Sequence, residues 1–200
     1  FKAMKGQTIG VIGGTGSGKS SLVNLIPRLY DATQGEVLVD GVNVKDYDIE
    51  TLRNKVGIVM QKAVLFKGTI RENMWMGKKG ATDEQIDEAL EISQSKEFVD
   101  SKQGRLDYVI EQGGKNLSGG QRQRLTIARA IVRKPDVLIL DDSASALDFA
   151  TDAALRKAIR GMNNSPTVFI VSQRAASLMY ADFIIVLDDG QVAGMGTHDE

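Results

Sequence analysis

Cysteine is absent from this 200-residue sequence, and proline occurs only three times. The lack of cysteine excludes a disulfide framework and any metal site built from thiolates. No apolar run approaches the roughly 18 residues of a membrane-spanning helix, so any membrane role is expected through a partner or a further segment. Neither sign of charge dominates, because 25 basic residues stand against 26 acidic ones. No overall field therefore attracts the chain to nucleic acid or anionic lipid.

Short β-rich runs alternate with helical patterns along most of the chain. This alternation is typical of an α/β fold with a mostly parallel sheet and helices on its faces. The expected strands are residues 7–12, 36–39, 56–60, 137–140, 167–171 and 183–187. Asp40-Gly41 lies between two alternating runs and predicts a hairpin. An antiparallel β patch is therefore expected beside the parallel sheet.

The middle of the chain reads differently. From about residue 68 to residue 134 we find helical stretches, including 82–92 and 118–133, and no convincing strand. We therefore expect one domain with an inserted helical subdomain. The expected bounds are 1–200 for the domain, about 1–66 and 135–200 for its core, and about 67–134 for the helical subdomain.

Residues 13–20 form the most informative motif and read Gly-Gly-Thr-Gly-Ser-Gly-Lys-Ser, between an apolar strand and the helix-forming run 21–26. Such a loop turns backbone N–H groups toward phosphates, and the start of the following helix adds partial positive charge. Lys19 supplies charge for the outer phosphates and Ser20 a hydroxyl for Mg²⁺. The motif predicts a P-loop NTPase core that binds a nucleotide with Mg²⁺. The residues expected to hold the nucleotide are Gly14, Thr15, Gly16, Ser17, Gly18, Lys19, Ser20 and Ser21.

Two adjacent carboxylates follow the apolar strand 137–140. The carboxyl end of a buried strand is where an α/β sheet places groups that meet a ligand. Asp141 suits a Mg²⁺-linked role opposite Ser20, although an acidic residue can also simply end a strand. Asp142 lies where a base or a water-orienting group is expected, and the same structural alternative applies to it more strongly.

A second candidate anion site lies at Ser118-Gly119-Gly120-Gln121, just before an arginine-rich helix. Ser118 and Gln121 form an S-x-x-Q capping box, which accounts for the helix but not for the two glycines. Glycine in the first turn costs helix stability, yet it removes side chains where bare N–H groups could touch an anion. We expect this site to serve the ATP of another molecule. Arg122, Arg129 and Arg133 are expected at the surface of the helix.

Taken together, these motifs resemble the nucleotide-binding domain of ABC transporters, specifically the exporter type. The resemblance covers essentially the whole chain. It rests on the phosphate loop 13–20, Gln61, the segment 65–73, the signature Leu-Ser-Gly-Gly-Gln at 117–121, the strand 137–141, Ser-Ala-Leu-Asp at 145–148 and the segment 181–190.

The resemblance implies that two such domains pair head to tail, with each ATP between one domain's phosphate loop and the other's signature. Ser118, Gly119, Gly120 and Gln121 would then bind a γ-phosphate across the interface. Gln61 would touch Mg²⁺ or the attacking water and connect the site to membrane domains. Asp148 would help the domains to pair, although by position it could instead cap the helix that begins near residue 149.

Two departures from the family pattern coincide. The family usually has glutamate where this chain has Asp142, and one methylene less can cost about 100-fold in rate. The family's switch histidine is replaced by Gln173, whose amide can donate to a phosphate but cannot carry charge or move a proton near neutral pH. We therefore predict a degenerate hydrolytic site. The only histidine, His198, is assigned to the surface and not to catalysis.

The leading hypothesis is the ATP-binding domain of an exporter half, held at the cytoplasmic face of a membrane by transmembrane domains. Its partner is a second nucleotide-binding domain, expected to be a different chain with the better hydrolytic site. The alternatives are a homodimeric ATPase in which Asp142 works as the base, and a nucleotide-gated clamp without hydrolysis. An ATPase acting on nucleic acid is disfavoured by the near-neutral charge. The aromatic residue that stacks on adenine is expected upstream of residue 1.

Overall fold

The computed structural model describes all residues from 1 to 200. The strands are β1 (Thr8–Ile12), β2 (Leu38–Val39), β3 (Val42–Asn43), β4 (Val56–Val59), β5 (Gly68–Thr69), β6 (Val109–Ile110), β7 (Val137–Asp141), β8 (Thr167–Ser172), β9 (Phe183–Asp188) and β10 (Gln191–Gly196). The α-helices are α1 (Lys19–Asn24), α2 (Ile49–Lys55), α3 (Ile70–Gly77), α4 (Asp83–Ile92), α5 (Lys96–Asp100), α6 (Gly119–Ile131) and α7 (Phe149–Arg160). Short 3-10 turns cover Arg105–Asp107, Gln112–Gly114 and Ala175–Leu178.

A six-stranded sheet in the order β10-β9-β1-β8-β7-β4 organises the fold. β1 pairs in parallel with β8 and β9, and β7 pairs in parallel with β8. β8 is buried along its whole length, as expected for a central parallel strand rich in β-branched residues. The predicted mostly parallel sheet is therefore present.

Two hairpins turn through Asp-Gly pairs. Asp40-Gly41 joins β2 to β3, as the sequence predicts, with φ angles of 52° and 77°. Asp189-Gly190 joins β9 to the antiparallel strand β10, with φ angles of 45° and 75°. Positive φ at both central residues is the geometry that favours Asn-Gly and Asp-Gly. β10 was not predicted, because glycines and a bulge between Val192 and Gly194 interrupt its pattern.

The chain divides into two compact units. The first contains residues Phe1–Ile58, Pro135–Asp142 and Pro166–Glu200, and its apolar core joins the sheet to α1 through residues such as Ile9, Val23 and Ile139. The second contains Val59–Lys134 and Ser143–Ser165. It therefore includes α7, in addition to the stretch predicted to form a helical subdomain.

Helix α6 is the centre of the second unit and packs against α3 and α4. Leu125, Ile127 and Ala128 are fully buried on it. The expectation of no strand between residues 68 and 134 is wrong, because β5 and β6 form a short antiparallel pair. Each has only two residues, too few to show a periodicity in the sequence. None of the helices is long and apolar enough to cross a membrane.

Candidate functional site

The phosphate loop leaves the sheet at Ile12 and enters α1 at Lys19. Gly16 and Gly18 have φ angles of 78° and 96°, a region that glycine enters at little cost. A Cβ on Gly13 would collide with the Leu187 carbonyl oxygen and the Ser17 hydroxyl. The loop therefore requires glycine at these positions, in agreement with the motif.

Helix α1 is shorter than the helical run suggested. It ends at Asn24, two residues before the expected end. Pro27 follows closely, and a proline disfavours helical geometry in the residue before it. The start of α1 at Lys19 is unaffected, so its first-turn N–H groups still add partial positive charge beside the ammonium of Lys19.

Lys19 points back into the curl of the loop. Its Nζ donates to the carbonyl oxygens of Gly13 at 2.8 Å and Gly14 at 2.7 Å, and to Ser17 Oγ at 3.4 Å. A full positive charge thus lies within the ring of backbone groups that the motif predicts to surround phosphates. An anion entering the loop would replace neutral carbonyl partners of this ammonium by charged oxygens, which form stronger hydrogen bonds.

The turn between β9 and β10 supports the loop from the side. The Gly190 N–H donates to the Ser17 carbonyl at 3.1 Å, and Ser17 is only 4% exposed. Sequence reasoning missed this contact. The signal that could have found it is the dipeptide Asp189-Gly190, which marks a hairpin in the same way as Asp40-Gly41.

The carboxyl ends of β7 and β8 lie beside that of β1. The register pairs Ile12 with Ser172 and Asp141 with Val171, so the residues after these strands emerge at one edge of the sheet. Ser20 Oγ donates to Asp141 Oδ2 at 2.7 Å. The pair joins the phosphate loop to the end of β7 and presents hard oxygen donors, the kind that Mg²⁺ prefers.

Asp142 continues β7 by one backbone hydrogen bond. Its N–H donates to the Val171 carbonyl at 2.9 Å, and its φ is 46°. The backbone of this residue is therefore fixed to β8 while its chain direction turns away from the strand. A carboxylate is held at the same sheet edge as Asp141, one residue further along.

Gln173 also reaches the phosphate loop. Its Nε2 donates to Thr15 Oγ1 at 3.3 Å, and both residues are exposed. The turn behind Gln173 is fixed because the Arg174 N–H donates to Ser172 Oγ at 3.0 Å. Within the first unit, the structure therefore brings together the loop and the predicted residues Ser20, Asp141 and Gln173.

The second group of predicted residues lies at the start of α6. Ser118 Oγ accepts from the Gln121 N–H at 3.2 Å, and Gln121 Oε1 accepts from the Ser118 N–H at 3.0 Å. This is the predicted capping box, complete in both directions. A Cβ on Gly120 would lie 3.4 Å from the Ala146 carbonyl oxygen, so this glycine lies against the segment that precedes α7.

Asp148 caps α7, the alternative that the sequence left open. Its side chain accepts from the Thr151 N–H at 2.9 Å and from the Thr151 hydroxyl at 2.8 Å. These hydrogen bonds to the charged form lower the pKa of Asp148. The residue is exposed while it caps α7.

Arg122 and Arg129 lie on α6 and Arg133 follows it. The expectation that these three arginines stay at the surface is wrong. Arg122, Arg129 and Arg133 are all half-buried, and burial lowers the pKa of Arg129 and Arg133. Each donates to a backbone carbonyl of another segment, those of Leu117, Val64 and Gly77 respectively. These long side chains can leave the exposed face of a helix and turn inward over apolar surface.

Three further residues lie elsewhere. Gln61 is exposed and follows β4 in the second unit, while His198 is exposed near the end of the chain. The Phe1 ring lies 6.4 Å from that of Phe169 and 6.2 Å from that of Phe183. Phe183 begins β9, so Phe1 is at the end of the sheet opposite to the phosphate loop.

Comparison with known proteins gives consistent matches. The profile of the ABC transporter family matches residues 1–145. A Bacillus subtilis protein named as a multidrug export ATP-binding/permease protein is 42% identical over 200 residues, which are 100% of this chain and 34% of that protein. A Staphylococcus aureus protein named in the same way is 40% identical over 196 residues, 98% of this chain and 34% of that protein.

A solved structure agrees with these relatives. The structure of a bacterial Atm1-family ABC exporter with ATP bound is 33% identical, has a TM-score of 0.93, and is matched over 100% of this chain and 35% of that chain. This chain therefore spans about a third of the length of the proteins it resembles. The resemblance drawn from the motifs is confirmed, and the degenerate character of the site stays a prediction.

Proposed function

The chain belongs to the ABC transporter family, and we propose that it is the part of an exporter that binds ATP with Mg²⁺ and couples ATP binding and hydrolysis to transport across a membrane. The observation that carries this proposal is the glycine-rich loop with Lys19 inside its curl and Ser20 hydrogen-bonded to Asp141. Phosphate and metal chemistry are thus combined at one edge of the sheet.

In the proposed complex, the N–H groups of the loop residues 14–18, together with the start of α1 at 19–21, hold the phosphates. Lys19 exchanges its carbonyl partners for β- and γ-phosphate oxygens. Ser20 and Asp141 are the proposed protein ligands of Mg²⁺, with Gln61 as a further one or as the residue that orients water. One carboxylate, one hydroxyl and phosphate oxygens suit Mg²⁺, which keeps several waters and is rarely enclosed by protein alone.

Hydrolysis at this site is proposed to be slow. Asp142 is the candidate base, but its carboxylate is one methylene shorter than the glutamate of the family pattern. Gln173 offers an amide donor and no positive charge. The site is therefore better suited to hold ATP than to cleave it.

The signature at Ser118, Gly119, Gly120 and Gln121 is proposed to complete the ATP site of a second nucleotide-binding domain. Its capping box leaves N–H groups of the glycine-rich first turn available, and a helix start favours an anion. Asp148 is proposed to contribute to pairing of the two domains. Pairing on ATP and separation after hydrolysis would drive the attached membrane domains.

Transmembrane domains are the second proposed partner, with this chain at the cytoplasmic face of the membrane. Exposed apolar side chains of the second unit support this proposal: Val64 (42%), Phe66 (46%), Trp75 (40%) and Met76 (53%). An exposed apolar patch is typical of a surface that a partner covers, and these four side chains are the candidates for such a patch.

The experiment that tests nucleotide binding uses a fluorescent ATP analogue with the 200-residue chain. We expect saturable, Mg²⁺-dependent binding that Lys19→Ala weakens at least about tenfold, because the only full charge in the loop is removed. Lys5→Ala, an exposed lysine before β1, is the matched control and should bind like the parent chain. Equal binding by Lys19→Ala and the parent chain would refute the proposal.

Two outcomes would select the alternatives. Sustained hydrolysis by the chain alone, abolished by Asp142→Asn, would support a homodimeric ATPase. ATP-dependent pairing without phosphate release from any combination of partners would support a clamp.

A further inference from the structure

Thr15 and Gln173 meet at the exposed rim of the phosphate loop. The pairing of Ile12 with Ser172 makes the loop and the turn after β8 leave the sheet side by side. The hydrogen bond from Arg174 N–H to Ser172 Oγ fixes that turn, and Gln173 Nε2 then donates to Thr15 Oγ1 at 3.3 Å. The contact thus joins the segment that follows β1 to the segment that follows β8.

Both groups retain hydrogen-bonding capacity beyond this contact. The amide nitrogen of glutamine carries two N–H donors, of which Thr15 uses one. The threonine hydroxyl accepts from Gln173 and still has its own O–H to donate. A phosphate oxygen placed between them could accept a hydrogen bond from both. Aspartate or glutamate at these positions could not donate to it, because an ionised carboxylate carries no donor.

The position of the pair favours the outermost phosphate. The backbone of such a loop surrounds the inner phosphates of a nucleotide. Ser17, within the loop, is buried, whereas Thr15 and Gln173 are exposed at its rim. The phosphates of a nucleoside diphosphate can bind the backbone N–H groups of the loop. They provide no γ-phosphate oxygen to accept hydrogen bonds from Thr15 and Gln173 at the rim.

We propose that Thr15 is a positioning residue, whose hydroxyl holds the Gln173 amide over the phosphate loop so that the pair selects nucleoside triphosphate over diphosphate. This inference rests on the proposed ATP-binding function. The effect is modest in size because the pair is exposed and neutral. Loss of one such hydrogen bond corresponds to about a fivefold change in affinity.

The test compares dissociation constants for Mg²⁺ complexes of a non-hydrolysable ATP analogue and of ADP, measured by displacement of a fluorescent nucleotide from the 200-residue chain. The variants are Thr15→Val, Gln173→Ala, their combination, and Thr15→Ser. Thr33→Val and Gln34→Ala change the same residue types at exposed positions away from the loop and serve as matched controls. The readout is the ratio of the two constants, so a general weakening of binding cancels.

We expect Thr15→Val and Gln173→Ala each to reduce the preference for triphosphate about fivefold, and the double variant to reduce it no further. Thr15→Ser should restore the preference, since it keeps the hydroxyl. Additive losses, or an unchanged ratio in Thr15→Val, would overturn the inference while leaving nucleotide binding intact. Failure of the parent chain to bind either nucleotide would overturn the proposed function itself.

Discussion

Asp142 has a backbone φ of 46°, in the left-handed region. Aspartate enters this region more readily than most side chains, because its short polar group can hydrogen-bond locally. The residue is therefore compatible with its backbone. Its carboxylate nevertheless reaches less far than the glutamate of the family pattern. The backbone conformation therefore favours aspartate at this position, whereas the reach needed for catalysis favours glutamate.

Asp142→Glu should raise the rate of a single ATP turnover at this chain's own site by about tenfold or more, because an error of about one ångström can cost about 100-fold. Rapid-quench measurement of phosphate release from the paired complex checks this. Asp189→Glu is the matched control for backbone cost, since Asp189 has a φ of 45° in an exposed turn. If Asp142→Glu binds ATP normally and cleaves it no faster than the parent chain, the length of the side chain at residue 142 does not limit hydrolysis.

Individual contacts were predictable to different degrees. The proximity of Ser20 and Asp141 follows from parallel strands that end at one edge of a sheet, although their role with Mg²⁺ stays a prediction. The contact between Gln173 and Thr15 depends on the turn after Ser172, which no motif encodes. The burial of Arg129 was missed because helical periodicity locates a Cα and not the end of a long side chain.

At the scale of elements, α6 and α4 begin with the same kind of capping box. Thr82 and Gln85 cap α4 as Ser118 and Gln121 cap α6, with both reciprocal hydrogen bonds present. α4 is therefore an internal reference for the stability that such a box contributes. Any additional effect of changing Ser118 belongs to the proposed signature function.

Ser118→Ala and Thr82→Ala should each lower the free energy of unfolding by about 1 kcal/mol, the usual contribution of such a cap. Chemical denaturation checks this. Only Ser118→Ala should also reduce ATP turnover by the paired complex. An equal loss of turnover in Thr82→Ala would mean that stability, and not a signature contact, accounts for the effect.

Arg129 links α6 to the segment before α3. Its Nη2 donates to the Val64 carbonyl at 3.0 Å and its guanidinium lies 5.9 Å from the centre of the Phe66 ring. Its Nη1 is buried without a hydrogen-bond partner. The residue thus combines favourable packing with a desolvated charge that is only partly satisfied.

Arg129→Met should stay within about 1 kcal/mol of the parent chain in unfolding free energy, since it keeps apolar contact and removes the unsatisfied charge. Arg129→Lys should cost about 1 to 2 kcal/mol, because it keeps a charge and loses the planar stacking group. Parallel denaturation curves compare the two. A lysine variant more stable than the methionine variant would contradict this account.

The longer elements were predicted well because they carry a clear period or apolar run. β1, β7, β8, α4 and α6 all lie within one or two residues of their expected positions. β5, β6 and β10 were missed, since two-residue strands have no period and glycines interrupt β10. The position of these three strands depends on the strand that each pairs with, and their own sequences carry no signal that predicts them.

At the scale of the whole molecule, the predicted residues divide between the two compact units. The phosphate loop, Asp141, Asp142 and Gln173 belong to the first, whereas Gln61, the signature and Asp148 belong to the second. The fold class and the family follow from the order of the motifs along the chain, and both are confirmed. We propose that this chain binds one ATP with its loop and helps to hydrolyse another with its signature.

Steady-state ATP hydrolysis by the paired complex tests that claim most directly, with Asp142→Asn and Ser118→Arg introduced separately. Ser118→Arg places a large charged side chain at the proposed contact with the partner's γ-phosphate and should abolish turnover. Asp142→Asn removes the base of a site that contributes little, and most of the turnover should remain. Loss of turnover in Asp142→Asn as complete as in Ser118→Arg would contradict the account.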